Sequence, residues 1–537
     1  MKVVKRDGRV VDYDRSKIVL AVRKANEEVE KKEQITEAKI DGIIASIELM
    51  NKNTMQVEEI QDIIEQKLMA DGKFILAKTY IIYRYTRELV RKANTTDESI
   101  MSLIRHNNKE VMEENSNKNA VIASTQRDLI AGEVSKDLTR RLLLPEKISK
   151  AHDEGVLHFH DADYFLQSIF NCCLINIKDM LENGTVMNAK LIESPKSFQV
   201  ACTVMTQIIS AVASSQYGGQ SVDVRHLGKY LRISADKYRK RYESLFQGQA
   251  TPEVIEQFVE ERVRDELTSG VQTIQYQINT LMTTNGQSPF VTLFLNLDKD
   301  DEYLEENARI VEEILRQRLQ GIKNEKGVYI TPAFPKLIYV LDEHNCLKGG
   351  KYDYITKLAV QCSAKRLYPD YISAKKMRET YEDNVFSCMG CRSFLSPWKD
   401  ENGDYKFEGR FNQGVVSLNL PQIGIIADGN EELFWQLLEE RLALCFEALM
   451  CRHTALEGTL SDVSPIHWQY GAIARLKKGE TIDKLLHGGY STISLGYIGL
   501  YEMTKLMKGV SHTTEEGLEF SLRVMNRLKK AADTWKE

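Results

Sequence analysis

Six short apolar runs, at residues 158–162, 172–177, 290–297, 336–341, 414–420 and 492–498, are separated by stretches long enough to hold helices. Strands spaced by helices favour an α/β architecture, and so many of them favour a closed barrel. A long helix is expected to open at Thr251-Pro252-Glu253, with a capping residue, a proline in the first turn and an acid at the positive end of the helix dipole. At 537 residues the chain can bury a large core and form more than one domain.

The first 93 residues read differently. The runs KVVK and RVVDY flank Asp7-Gly8, a tight-turn dipeptide, and predict a hairpin over 2–13. Helical periodicity follows at about 15–30, 36–50, 56–70 and 74–93, with Thr54 read as a helix start. The polar stretches 92–99 and 113–119 read as a linker. The expected organisation is therefore a small module at 1–93, a linker and helical entry at 94–150, and a larger domain at 151–537.

Composition excludes several classes. With 42% hydrophobic and 28% charged residues the chain has the profile of a folded globular protein. A net charge of -5 leaves no basic field for general nucleic-acid binding. The charged N-terminus has no apolar core of a signal peptide, and no apolar run approaches a membrane span. A cytoplasmic location is expected. The nine cysteines are odd in number and scattered, unlike a secreted disulfide framework.

Two local patterns could carry chemistry. Lys5, Arg6, Asp7 and Arg9 place three cations around a flexible turn, and Ser16 and Lys17 lie at the start of the first helix. Cations beside a helix N-terminus suit a triphosphate, although on composition alone a solvated basic hairpin is the commoner explanation. Cys388 and Cys391 form a C-x-x-C. A zinc ribbon would need a second such pair, and a thioredoxin motif needs a strand before it and a helix after it. The turn-rich flanks leave a loop-tip thiol, either incidental or pushed into a barrel.

The order of motifs resolves these readings by resemblance. VKRDGRVVDYDRSKI, followed by AKTYIIYRYTR (77–87), resembles the ATP-cone, a regulatory nucleotide-binding domain. MGCRSFL and GRFNQGVVSLNLP (409–421) closely resemble the finger loop of anaerobic, glycyl-radical ribonucleoside-triphosphate reductases. HFHDADYFLQSIFNCCLIN (158–176), SSQYGGQ (214–220), ALMCRHTALEG (448–458) and STISLGYIGLYE (491–502) follow in that family's order. The resemblance implies a ten-stranded α/β barrel of the glycyl-radical type with an inserted finger loop, preceded by a cone of one hairpin and four helices.

The resemblance also implies roles. Cys391 matches the radical cysteine, Cys172 the second catalytic thiol, Asn412 an asparagine near the ribose, and His158 a histidine near the substrate. Cys388 is then a non-catalytic neighbour, and Cys173 should face the other side of its strand. Ser491 and Thr492, in the loop HGGYSTISLG, match substrate phosphate contacts, though a loop feeding a core strand explains them equally well. Lys5, Arg6, Asp7, Arg9, Lys17 and Arg84 match the ATP/dATP site. The family's chemistry fits: a thiyl radical removes the ribose 3′-hydrogen, the 2′-hydroxyl leaves as water, and formate is the expected final reductant.

Further expectations are deoxynucleotide effectors at a second site, guessed at the helix after SSQYGGQSVDVRH, a homodimer that grows larger with dATP, and a radical-SAM activating enzyme. The radical glycine and the structural zinc belong to a C-terminal segment of the family that this sequence does not contain. The chain alone is therefore expected to bind nucleotides without turnover. Two rivals remain. A lyase of the pyruvate formate-lyase kind should lack the cone and carry its adjacent cysteines in another loop. A cone-based repressor should have a zinc ribbon and a basic face.

Overall fold

The computed structural model describes residues 2–4, 10–50, 52–106, 118–390 and 393–536; of the helix at 74–104, the side chains of 83–95, 97 and 98 are outside the description. The chain divides into two compact units, Met1–Ser102 and Leu103–Glu537.

In the first unit, strand β1 (Lys2–Val4) pairs antiparallel with β2 (Val10–Asp12), in the register Val3 to Val11 of the expected hairpin. A third strand, β3 (Thr54–Gln56), lies parallel to β1. Thr54 is thus in a strand and not at a helix start; the helix begins at Val57, with Gln56 as its N-cap. Met55 is the reason, since its side chain is buried beside Val3 in the apolar centre while its neighbours are exposed. Helices Arg15–Glu27, Glu37–Glu48 and Val57–Ala70 close over this sheet through Val22, Ala25, Ile40, Ile44, Ile47, Ile64 and Leu68. The fourth helix runs from Phe74 to Ile104, so residues 92–99 are helical where a linker was expected. The apolar residues Ile100, Met101, Leu103 and Ile104 continue its periodicity past the polar stretch.

Among the described residues the second unit is built on one mixed sheet of eight strands. Its strands, with two small ribbons, are β4 (Leu157–Phe159), β5 (Cys172–Leu174), β6–β7 (Thr185–Met187 with Lys190–Ile192), β8 (Gln220–Asp223), β9 (Val291–Leu295), β10–β11 (Ile322–Lys323 with Tyr329–Ile330), β12 (Lys336–Leu341), β13 (Asp370–Ser373), β14 (Arg410–Asn419) and β15 (Thr492–Ile498). The sheet order is β13-β12-β9-β8-β5-β14-β15, with β4 also on β14. The first five are mutually parallel. Strands β14 and β15 are parallel to each other, and β14 is antiparallel to β5 and β4. Two strand sets of opposite direction therefore meet at β5–β14.

Each face of this sheet has its own cover. Outward residues of the parallel set, Cys173, Val222, Leu293, Leu295, Leu337 and Tyr339, pack under helices Phe198–Ala213, Pro252–Thr280 and Leu304–Gln320. The helix Pro252–Thr280 starts where the Thr-Pro-Glu signal predicts, with proline in its first turn. Outward residues of β4 and β14, Phe159, Val416 and Leu418, pack under Glu431–Thr454 and Glu515–Thr534. Of the inward residues, Cys172 and Leu174 touch Phe386, Met389 and Leu395, and Phe294, Ile338 and Val340 touch Cys388. The segment after β13 therefore lies against the inner face, as a finger loop must. No helix among the described residues is long and apolar enough to cross a membrane.

Candidate active site

Strand register brings the site together. Cys172 on β5 lies opposite Asn412 on β14, and Asn412 lies opposite Thr492 on β15. Directly opposed residues share a face, so these three form one row across three strands. Two residues along β15, Ser494 is on the same face. The Asn412 side-chain amide donates to Thr492 Oγ1 (3.0 Å) and to Ser494 Oγ (2.8 Å), leaving its carbonyl oxygen 3.5 Å from Asn171 Nδ2. Cys172 Sγ donates to Asn171 Oδ1 at 3.3 Å. Cys173 points the other way, as the alternation predicts, donating to Gln216 Oε1 at 3.1 Å inside the outer core. Burial pushes its thiol pKa far up, so it is not a thiolate at neutral pH.

The described part of the finger tip backs onto the di-glycine of SSQYGGQ. A Cβ on Gly390 would stand 2.8 Å from Gly219 Cα, and one on Gly218 would stand 2.2 Å from Asn171 Oδ1. Only glycine permits this approach. The pair Gly218-Gly219 is thus wedged between the residue before Cys172 and the residue before Cys391. Met389 N–H donates to Ser393 C=O at 2.8 Å, and Ser221 Oγ donates to Cys388 C=O at 2.7 Å. Cys391 itself lies outside the described residues.

His158 sits on β4 opposite Ser417, on the polar face of β14, open to solvent on one side and packed against His152 and His160 on the other. Its ring stacks edge-on with His160 at 4.5 Å, and His160 Nε2 lies 2.8 Å from Ser417 Oγ. Burial, then the Arg452 charge, holds His158 below its ordinary pKa. Burial, then the His158 and Arg452 charges, pushes His160 down to about 4. Both imidazoles are neutral at pH 7.

Ser491 and Thr492 are close to this row but already engaged. Ser491 Oγ accepts from Gln413 Nε2 (2.9 Å) and faces Leu486 C=O, while Thr492 accepts from Asn412. The preceding Gly488 and Gly489 have positive φ, which turns the loop toward β15. Arg410, fully buried, secures this loop by donating to Gly489 and Tyr490 carbonyls (2.8 and 2.6 Å) and to Ser396 C=O (2.8 Å) on the finger's return path. Burial pushes its pKa down to about 10, still charged at neutral pH.

In the first unit, Lys5, Arg6, Asp7 and Arg9 lie outside the described residues, as does the Arg84 side chain. Lys17 is exposed in the first turn of its helix, 3.7 Å from the Asp14 carboxylate that caps it.

Sequence reasoning missed Arg410, Gln413, Ser494, Asn171 and the role of the di-glycine. Ser494 was recoverable from the two-residue period of TISLGYI. It also missed a cavity of about 380 Å³ at the C-terminal ends of β5 and β8, lined by Asp223, Arg225, His226, Lys406 and Glu408. The carboxylates there are paired: Arg225 Nε is 2.8 Å from Asp223 Oδ2, and His226 Nε2 is 2.7 Å from Glu408 Oε1.

The anaerobic ribonucleoside-triphosphate reductase family model matches residues 114–537, and the ATP cone domain model matches residues 1–89. The chain is 37% identical over 545 aligned residues to the anaerobic ribonucleoside-triphosphate reductase of Escherichia coli K12, covering 100% of this chain and 74% of that one. It is 40% identical over 424 residues to the enzyme of that name from Enterobacteria phage T4, covering 77% of this chain and 68% of that one. In fold it resembles a crystal structure of the anaerobic ribonucleotide reductase from Thermotoga maritima with MES in its active site (TM-score 0.57, 14% identity, 84% and 73% of the two chains). The chain belongs to the anaerobic ribonucleoside-triphosphate reductase family and carries an ATP-cone at its N-terminus.

Proposed function

We propose that this reductase converts ribonucleoside triphosphates to 2′-deoxyribonucleoside triphosphates at the row Cys172–Asn412–Thr492. The observation that carries the reading is that row itself: one thiol and one amide, opposed across antiparallel strands on the inner face, against which the finger loop also packs. Cys391, one residue beyond Gly390, is the group that takes the ribose 3′-hydrogen once a glycyl radical has converted its thiol to a thiyl. Loss of the 2′-hydroxyl as water follows, and Cys172 delivers hydrogen from the opposite side of the sugar. Formate supplies the two electrons and leaves as carbon dioxide.

The protein's contribution is placement and exclusion of water. Asn412 is held by two hydroxyls, so its carbonyl oxygen has one orientation for a ribose hydroxyl. Neutral His158 can donate or accept one hydrogen bond but brings no charge into the site. Ser491, Thr492 and the Gly488-Gly489 turn offer donors to the triphosphate, and Arg410 fixes that turn from behind.

Regulation follows from the cone, with ATP and dATP bound by Lys5, Arg6, Asp7, Arg9, Lys17 and Arg84. A second effector site for deoxynucleotides is placed on the helix Gly228–Phe246, after SSQYGGQSVDVRH. The partners are a radical-SAM activating enzyme and a second copy of the chain, in the cytoplasm. Calorimetry with dATP on the full chain and on one lacking 1–93 tests the regulatory half. Loss of a tight site on deletion supports it; equal binding by both forms refutes it.

A further inference from the structure

His453 lies in the last turn of the helix Glu431–Thr454, Glu457 in the turn that follows it, and His487 opens the HGGYST loop against them. Glu457 Oε1 lies 3.7 Å from His453 Nε2 and 3.9 Å from His487 Nε2. The two imidazole rings meet edge to face at 4.9 Å. These separations are too long for hydrogen bonds. They are close to the roughly 3.3 Å between ligands that share one metal at bonds of about 2.0–2.1 Å in a tetrahedral site. Glu457 and His487 are 47% and 57% exposed, so both are free to close the remaining few tenths of an ångström.

The surroundings fix which nitrogen is available. Gln413 Nε2 donates to Leu486 C=O (3.2 Å) and to Ser491 Oγ (2.9 Å), which turns its carbonyl oxygen toward His453. That oxygen is 2.9 Å from His453 Nδ1. His453 therefore carries its proton on Nδ1 and presents the lone pair of Nε2 to Glu457 and His487. An amide or carboxylate that holds the far nitrogen of a ligating imidazole is the usual outer support of a metal-binding histidine. Burial, then the neighbouring His487, also keeps His453 below its ordinary pKa and neutral.

The cavity group Asp223, His226 and Glu408 has a similar composition but a different state. Its carboxylates already face Arg225 and His226 at bonding distance, and a cation there would have to displace a guanidinium. The His453 group has no such cation beside it in its described contacts.

We propose that His453, Glu457 and His487 form a binding site for one divalent transition metal, which ties the HGGYST loop to the helix Glu431–Thr454. Two imidazoles and one carboxylate select zinc, cobalt, nickel or ferrous iron over magnesium or calcium. The remaining positions open to solvent and are taken by water. The outer support, Gln413, also holds Ser491, so metal occupancy stiffens the loop that leads into Thr492.

The test uses the full chain under anaerobic conditions with cobalt(II) as the probe. One equivalent should produce visible ligand-field absorption and slow amide exchange across residues 486–492. His487→Ala and Glu457→Gln should each weaken binding by more than the roughly 10- to 100-fold typical of losing an outer partner. Their exchange in 486–492 should then be insensitive to cobalt. Both side chains are exposed, so circular dichroism and melting temperature should remain those of the parent. Absence of the absorption in the parent overturns the site. Retention of the whole signal in both variants overturns it too, as it would place the metal elsewhere. Binding without a change in exchange overturns the link to the loop.

Discussion

Cys172 and Cys173 are adjacent in sequence, both buried, and in opposite chemical settings. Cys172 shares the inner face with Asn412, Thr492 and the finger loop, and its thiol bonds an asparagine amide. Cys173 lies in the outer apolar core, where burial drives its pKa up and its thiol donates to Gln216. The alternation of a β-strand separates a thiol that can meet a substrate from one that can only pack. The same split runs along β14, where Asn412 and Ser417 face the polar side and Phe411, Val416 and Leu418 face the helices.

The sharpest way to break this comparison is to exchange the two thiols' fates. With the glycyl radical supplied, Cys172→Ser should lower deoxynucleotide formation by at least about 10³-fold, the scale of losing a reacting group. Cys173→Ala should change the rate by less than about threefold. Its cost is a cavity, so urea denaturation should show a loss of about 1 kcal/mol. Equal rates in the two variants would erase the distinction.

The di-glycine tests whether the inner face depends on close backbone approach. Gly219→Ala puts a Cβ 2.5 Å from the Phe290 ring and 3.0 Å from Gly390 Cα. It should cost about 1–3 kcal/mol of stability and cut turnover by about ten- to a hundredfold by moving the finger tip. Gly42→Ala, in a helix with open space around it and an ordinary φ, is the control for a mere loss of glycine.

Acid titration probes the polar side at lower amplitude. The folded pKa of His160 is about 4, against an ordinary 6.5. The unfolded chain therefore binds this proton first, and stability is full above pH 6.5 and falls as pH drops toward 4. His160→Gln, which can still bond Ser417, should flatten the melting-temperature profile in that window. An unchanged slope would contradict the burial of this ring. The smallest effect belongs to the cone, where Lys17→Ala should weaken dATP binding by about two- to fivefold, since Lys17 is exposed and only one of several cations.

Much of this was legible in the sequence. The six apolar runs all became strands of the central sheet, five of them with buried residues and the sixth, β15, half-buried along the edge beside β14. β8 and β13 were missed for a physical reason. QSVD and DYIS are short and polar, and they gain strand geometry from their neighbours β9 and β12. Asn412 and Cys172 could be named from motifs, but their opposition across β5–β14 depends on register, which no local pattern encodes. Arg410 was hidden because its partners are backbone carbonyls some 80 residues away.

The most direct measurement is oxidative crosslinking of the folded full chain followed by peptide mass spectrometry. If the finger tip faces the row on β5, mild oxidation joins Cys391 to Cys172 and leaves Cys173 reduced. Protection of that bond by a bound ribonucleoside triphosphate would place the substrate between the two sulfurs. A Cys391–Cys173 bridge, or no bridge to Cys172 under any condition, would contradict the account.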